Sequence, residues 1–455
     1  GGVIMKRRLL AMAMMCAMAV SLISGCGQSN ESTTGGNDDT KAANSDTGTA
    51  TTGSSEEITI TFGIHVANPK SQEAVTYEIV EAFNEKYDGQ YQVEFVAADT
   101  ETHSTNMKLQ ATDGTLPEIF WLDSSEAPEF SEAGYLLDLS DFLEQYPDTA
   151  AALDASVKET FYNSIQYGLP YQCNVEGFFY NKELFAELGI DEPVSGTTFE
   201  ELLEIISACN EAGYTTIAQG CLNSSYAIWG YLAMLERYGY SEYIDDILNG
   251  DENFNNENLL ACFEKFKELG EAGAFSGNMS TQEYFDAKET FTSGQAAFFN
   301  SGAWDCAELD EKMGDTVGFW WGPTFSESSF NQEVSMKVPS APLCVSAAVT
   351  EDEATQEAVY KFLEFYYSEE AAVISYAGAV FPATNFAGIE IGETQYALSE
   401  VVARIEDGWT SPASQPDQIL TSALQEQLYD SIFGVLLGNY TPSDALDKLD
   451  QQLQY

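Results

Sequence analysis

The chain has 455 residues, 44% of them hydrophobic and 13% aromatic, and carries 73 Asp and Glu against 18 Lys and Arg, a net charge of −55. Recognition of a phosphate backbone needs clustered Lys and Arg, so nucleic acid is excluded as a partner, and anionic lipid and polyanionic substrates are disfavoured. The only histidines are His65 and His103, which rules out H-E-x-x-H and other multi-histidine metal sites; no G-x-x-x-x-G-K-[ST] phosphate loop and no G-x-S-x-G nucleophile elbow occurs.

In chain order, Lys6, Arg7 and Arg8 precede an apolar run over residues 9–23 that is interrupted only by Ser21. The run is shorter than the roughly 20 residues of a membrane-spanning helix and has the length of a secretory h-region. Met5 reads as the natural start, and residues 1–4 are expected to be an upstream extension. The small pair Ser24-Gly25 before Cys26 resembles a bacterial lipobox. That resemblance implies cleavage of residues 1–25, acylation of the Cys26 thiol, and a membrane anchor of two or more acyl chains. Residues 26–56 are almost wholly Gly, Ser, Thr, Asn, Asp and Ala with no aromatic. Such a segment cannot offset its ordering entropy and is expected to be a disordered spacer spanning roughly 30 Å.

Residues 57–455 are long enough for two or more domains. Residues 58–62 (ITITF) and 91–96 (YQVEFV) read as strands, and residues 71–87 carry apolar side chains at a helical period. Residues 105–111 are helical, and Ile119 to Leu122 form a buried strand ending at Asp123. A further helix covers residues 126–134. This alternation predicts a parallel-type α/β sheet covered on both faces, with ligands beyond the C-terminal strand ends, at His65 and Asp123. Residues 177–180 form another strand, and Thr198 with Glu201 makes a capping box for a helix over 199–209. Helices follow over 226–238 and 257–269. Residues 291–299 approach as a strand and leave it at Trp304, and late helices span 357–368 and 420–438.

Of eight cysteines, Cys173, Cys209, Cys221, Cys262, Cys306 and Cys344 lie in this body without any C-x-x-C pairing. Scattered in this way they read as free thiols rather than a disulfide framework. Asp251-x-Asn253-x-Asn255 opens like a calcium loop, but Asn256 replaces its glycine and Cys262 its bidentate Glu.

Six stretches carry a family resemblance: residues 109–119 (LQATDGTLPEI), 133–139 (AGYLLDL), 180–185 (YNKELF), 193–202 (PVSGTTFEEL), 291–304 (FTSGQAAFFNSGAW) and 439–446 (NYTPSDAL). In this order and spacing they resemble bacterial extracellular solute-binding proteins, family 1, the sugar-binding lipoproteins of ABC importers. Phe199 stands where that family has a tryptophan. The resemblance implies a two-lobed, periplasmic-binding-protein-like type II α/β fold with a hinge and lobes discontinuous in sequence. It puts residues 57–169 and 324–377 in an N-terminal lobe and residues 170–323 and 378–455 in a C-terminal lobe. The expected crossings lie near 169–173, 322–325 and 376–381. It further implies a monomer without cofactor on the outer face of the cell membrane, handing a carbohydrate to ABC permease subunits.

A sugar presents an apolar C–H face that Trp and Tyr cover, and hydroxyls that need polar partners. The family's stacking tryptophan falls on Trp304, and the aromatic after the first helix of the second lobe falls on Tyr226 or Trp229. Trp320 and Trp321 precede the second expected crossing. Polar candidates are Asp123, His65 and Asn174. Trp121, within an apolar run, reads as core. Two other classes stay open at this point. An extracellular glycosidase would need two carboxylates across the scissile bond, a pair not identifiable among so many acids. A surface adhesin or sensor accessory would bind carbohydrate without transport.

Overall fold

The computed structural model describes residues 57–153, 161–162, 165–222, 227–386 and 390–453. The signal-like run, Cys26, the spacer and Tyr226 lie outside the described residues.

Strands β1 (Ile58–Ile64), β2 (Tyr91–Ala97) and β3 (Ile119–Trp121) build the parallel part of a first sheet, with β1 between the other two. Ile60, Phe62 and Ile64 alternate along β1 and are buried. On one face Phe83 of helix Ala74–Lys86 and Phe362 of helix Glu353–Tyr366 close on Phe62, with Phe62 and Phe362 ring centroids 6.0 Å apart. On the other face Met107 and Ala111 of helix Thr100–Asp113 cover Phe120. The short strands β4 (Phe161–Tyr162) and β5 (Ile165–Gln166) pair only with each other, and β6 (Gly168–Pro170) forms the edge of the first sheet.

A second sheet is centred on β7 (Cys173–Asn181). Beyond it come β8 (Thr215–Ala218), β9 (Ala296–Gly302), β10 (Val317–Trp320) and β11 (Lys337–Pro339), while β12 (Pro342–Val345) inserts into the first sheet between β3 and β6. Helices Phe199–Ala212, Glu257–Glu271, Ser422–Leu436 and Pro442–Leu453 bury one face of the second sheet. Helices Tyr284–Thr292, Cys306–Met313 and Tyr396–Ile405 bury the other. The expected parallel pairing holds only for β1 with β2 and β3, and for β8 with β9. β12 runs antiparallel to β3 and β6, and β7 antiparallel to β9, β10 and β11. These reversals arise because the chain passes straight from one sheet into the other instead of returning through a helix.

The direct passages lie side by side. β6 continues into β7 through Tyr171 and Gln172, and β11 into β12 through Ser340 and Ala341. Tyr171 N–H donates to Ala341 O at 3.2 Å, and Ser340 N–H to Gln172 O at 3.0 Å. The return crossing was expected near residues 322–325; the chain instead stays with the second sheet through Pro339. Thr324 exchanges backbone bonds with Thr197 and Phe199, and β11 pairs with β7 before the chain leaves. Gly322, at φ +87°, ends β10 in a local turn that resembles a crossing only in sequence. A third passage joins helix Glu369–Ala377, packed on Ala74–Lys86, to helix Tyr396–Ile405, packed on β10. Ala379 sits there at φ 61°, in the left-handed region.

Local signals elsewhere match their elements. Thr198 Oγ1 accepts from Glu201 N–H at 3.2 Å, while Thr198 N–H donates to Glu201 Oε2 at 2.7 Å, closing the capping box of helix Phe199–Ala212. The six cysteines of the body are all free thiols.

Arg237, 0% exposed, organises the turn at Gly322. Its guanidinium donates to the carbonyls of Trp321, Pro323, Gln332 and Val334 at 2.8–3.2 Å. Burial pushes it down to about 9, still charged at neutral pH. Four carbonyls lose their donor together if it is removed, so Arg237→Met should cost roughly 3–5 kcal/mol. Arg237→Lys should recover only part of that, because an ammonium cannot span the fork. Urea denaturation checks both, and a loss below about 1 kcal/mol for the methionine variant would contradict this role.

Candidate functional site

Parallel strands deliver their C-terminal ends to one edge, and that edge gathers the candidate residues. In the first lobe it carries His65 after β1 and Trp121 and Asp123 at the end of β3. In the second lobe it carries the start of β7 with Asn174 and Glu176, the end of β9 with Trp304, and the segment after β8 with Trp229. The two edges touch. Ser124 Oγ donates to Gln418 Oε1 at 3.2 Å and Ser125 Oγ lies 2.9 Å from Ser422 Oγ; within the second lobe, Asn174 Nδ2 donates to Gln415 Oε1 at 3.3 Å.

Trp304 is half-buried, and its ring lies over Gly302, so close that a Cβ there would collide with the indole. The indole N–H donates to Tyr284 Oη at 3.2 Å. Tyr284 in turn donates to the Asp305 carboxylate, which also accepts from Ser301 Oγ at 2.5 Å and pairs with Lys288 Nζ at 3.1 Å. Burial and the Asp305 charge push the Tyr284 phenol well up, so it keeps its proton as the donor of this chain. Trp229 stands edge-on to Trp304 at 4.7 Å and to Tyr284 at 5.4 Å. Its segment is tied down by buried Asn300, whose Nδ2 donates to Ala227 O at 2.8 Å and whose Oδ1 accepts from Gly230 N–H at 2.7 Å.

Beside this aromatic platform lie two buried acids, Glu176 and Asp417, and the half-buried Asp123. Glu176 pairs across the ladder with Gly302, the residue beneath Trp304, so the two project to one face of the sheet. Its Oε1 accepts from Asn174 Nδ2 at 3.4 Å, while its Oε2 has no hydrogen-bond partner among the described residues. Asp417 accepts from Tyr429 Oη at 2.6 Å and Gln415 Nε2 at 3.0 Å. Asp123 accepts from Ser125 N–H at 2.9 Å and Ser125 Oγ at 2.6 Å. Burial pushes all three carboxyls up; Asp417 adds to the rise of Glu176, and Asp123 to that of Asp417. Buried polar atoms are rarely left unpaired, which makes the free oxygen of Glu176 a candidate partner for a polar ligand group.

On the first-lobe side His65 stacks on Trp121 with centroids 4.2 Å apart and an interplanar angle of 23°. Burial, helped by nearby His103, pushes its imidazole down to about 3, and burial pushes Glu73 up to about 7. The 3.9 Å approach of His65 Nε2 to Glu73 Oε1 is therefore not an ion pair at neutral pH. Tyr171 Oη donates to Glu73 Oε2 at 3.1 Å, which links this corner to the hinge residue.

Trp304, Trp229, Asn174, Asp123 and His65 thus share one edge, with Tyr226 outside the described residues. Trp320 and Trp321 do not join them. Trp320 packs against Phe178 and Phe298, and Trp321 against Phe319 with its Nε1–H on Arg404 O at 3.3 Å; both are fully buried because each face of this sheet is covered by helices. Trp121, read as core, is instead half-buried at the edge. Sequence reasoning also missed Glu176, Gln415, Asp417 and Tyr429. An acid inside the apolar run around Glu176 was the one available signal; Asp417 lies in a loop without one.

The model of the family described as bacterial extracellular solute-binding protein matches residues 78–385, more than half of the chain, and the chain belongs to that family. A curated relative, the multiple sugar-binding protein of Streptococcus mutans, is 24% identical over 217 residues. That match covers 44% of this chain and 48% of the relative, so the chain spans about half the length of the curated relative it matches. A structure from a study of xylan utilization by the thermophilic bacterium Caldanaerobius polysaccharolyticus superposes with TM-score 0.74 at 23% identity, over 87% of this chain and 99% of its own. A chitin oligosaccharide binding protein superposes with TM-score 0.73 at 19% identity, over 86% of this chain and 98% of its own. These likenesses establish the two-lobed solute-binding fold.

Glu73 makes a testable pH signature. Its folded value near 7 lies above its ordinary value of 4.5, so the folded state binds more protons than the unfolded state between those limits. Stability contributed by this group therefore falls as pH rises from about 4.5 to 7 and is level above. His65 acts oppositely, adding stability as pH rises from about 3 to 6.5. Glu73→Gln should gain about 1–3 kcal/mol relative to the parent protein on going from pH 4.5 to 7. Denaturation at both pH values measures this, and a pH-independent difference would refute the raised carboxyl.

Proposed function

We propose that this chain is the extracellular, lipid-anchored capture subunit of a carbohydrate importer. It binds an oligosaccharide between its lobes without chemical turnover, as a monomer without cofactor, and presents it to ABC permease subunits in the membrane. The lobes are residues 57–170 with 342–377, and 173–339 with 381–453. They differ from the boundaries expected from sequence chiefly in the later return crossing. Closure is a rotation taken up at residues 170–173, 339–342 and 376–381.

The observation that carries the reading is the half-buried Trp304 ring, held by Tyr284 beside the unpartnered Glu176 oxygen. An indole face fits the C–H face of a pyranose, and carboxyl oxygens accept from its hydroxyls. Asp123, Asn174, Trp229 and His65 supply further contacts from both sides, which is what makes closure depend on ligand. The printed names of the relatives, concerning multiple sugars, xylan and chitin oligosaccharides, support a sugar ligand. The lipobox resemblance at Cys26 supports the anchor.

Calorimetric titration with xylo-, chito- and malto-oligosaccharides tests the ligand class. Removing a buried aromatic anchor typically costs at least about 2 kcal/mol, or roughly thirtyfold in Kd. Trp304→Ala should lose that much for whichever series binds, and Trp304→Phe should retain part. Normal affinity in a destabilised Trp304→Ala protein would mean that the indole serves the fold alone. For the anchor, Cys26→Ala in the full chain should abolish fatty-acid labelling and detergent-phase partitioning; unchanged partitioning would remove the lipobox reading.

A further inference from the structure

We propose that Phe285 is a second stacking platform, at the rim of the same site, for a sugar unit beyond the one on Trp304. The inference rests on the carbohydrate reading and adds to it a length preference.

Phe285 is the most exposed large hydrophobic side chain among the described residues, at 63%. It occupies the first turn of helix Tyr284–Thr292, which starts at the ligand edge of the second sheet. Leu222 N–H, just past β8, donates to Gln282 O at 2.9 Å, and Cys221 N–H donates to Met279 O at 3.1 Å, so the approach to this helix is stitched to the β8 end. The neighbouring Tyr284 points inward and holds Trp304. Rings therefore run without a gap from site to rim: Trp304 to Trp229 at 4.7 Å, Trp229 to Tyr284 at 5.4 Å, and Tyr284 to Phe285 at 5.3 Å.

The exposed ring is also ordered. Lys288 Nζ lies 4.9 Å from its centroid, and that ammonium is fixed by Asp305 at 3.1 Å and Glu308 at 2.5 Å. A cation held against a ring positions it electrostatically, and an aromatic has few rotamers to lose. Such a preorganised surface binds with little ordering cost. Its outward part is exposed to water, and the next unit of a chain seated on Trp304 would offer it an apolar C–H face.

The test is titration of the full chain, Phe285→Ala and Phe285→Trp with xylo-, chito- and malto-oligosaccharides of increasing length from the disaccharide, with denaturation in parallel. In the series that binds, affinity of the parent should rise with length. Phe285→Ala should lose roughly tenfold for the longer members and leave the shortest bound member unchanged, and Phe285→Trp should restore the loss. An alanine variant equal to the parent at every length overturns the platform. So does one weakened by the same factor at every length, the mark of a ring that merely supports Trp304 and Lys288. A parent whose affinity does not rise with length overturns it as well. A parent that binds none of the three series sinks the carbohydrate reading, and the platform with it.

Discussion

Two adjacent strands pass through both sheets, and the rest of the molecule is arranged around that passage. β6 becomes β7 at Tyr171 and Gln172, β11 becomes β12 at Ser340 and Ala341, and backbone bonds join the two passages. Because the same backbone serves both sheets, neither lobe can shift without bending these few residues. The pairing also dictates which strand ends face each other. β12 enters the first sheet between β3 and β6, and β7 starts at the site edge of the second. Asn174 and Glu176 therefore lie side by side, and Asp417 couples electrostatically to both Asp123 and Glu176.

The crossing also explains the electrostatics. Acids from three distant parts of the chain, Asp123, Glu176 and Asp417, converge where the lobes touch, and one oxygen of Glu176 is left without a hydrogen-bond partner among the described residues. Gathering carboxyls in a buried place costs free energy in their charged form, which is why all three are pushed up. Arg237 shows the other solution, a buried charge held by four backbone carbonyls.

The aromatic side of the site follows the same logic at shorter range. Trp304 has its N–H committed through Tyr284 to Asp305 and its ring laid over a glycine, so its pose is decided before any ligand arrives. Lys288 neutralises the end of that chain and orders Phe285 at the surface. A single buried ion pair thus supports both an inner and an outer ring.

Sequence alone determined the elements whose cause is local. β1 to β3 follow from apolar runs, helix Phe199–Ala212 from its capping box, and the position of Trp304 just past the end of β9 from the motif there. It left Trp320 and Trp321 ambiguous, because an indole in a strand reads the same whether helices or a ligand cover it. It misread Gly322 as a crossing, since a left-handed glycine ends a strand equally well in a turn or at a domain boundary. Tertiary structure alone decided where β12 inserts, that Trp121 stacks on His65, and that Asp417 reaches Asp123 and Glu176. Those outcomes depend on partners more than a hundred residues away in most cases, and no window of local periodicity contains the two surfaces whose contact makes them.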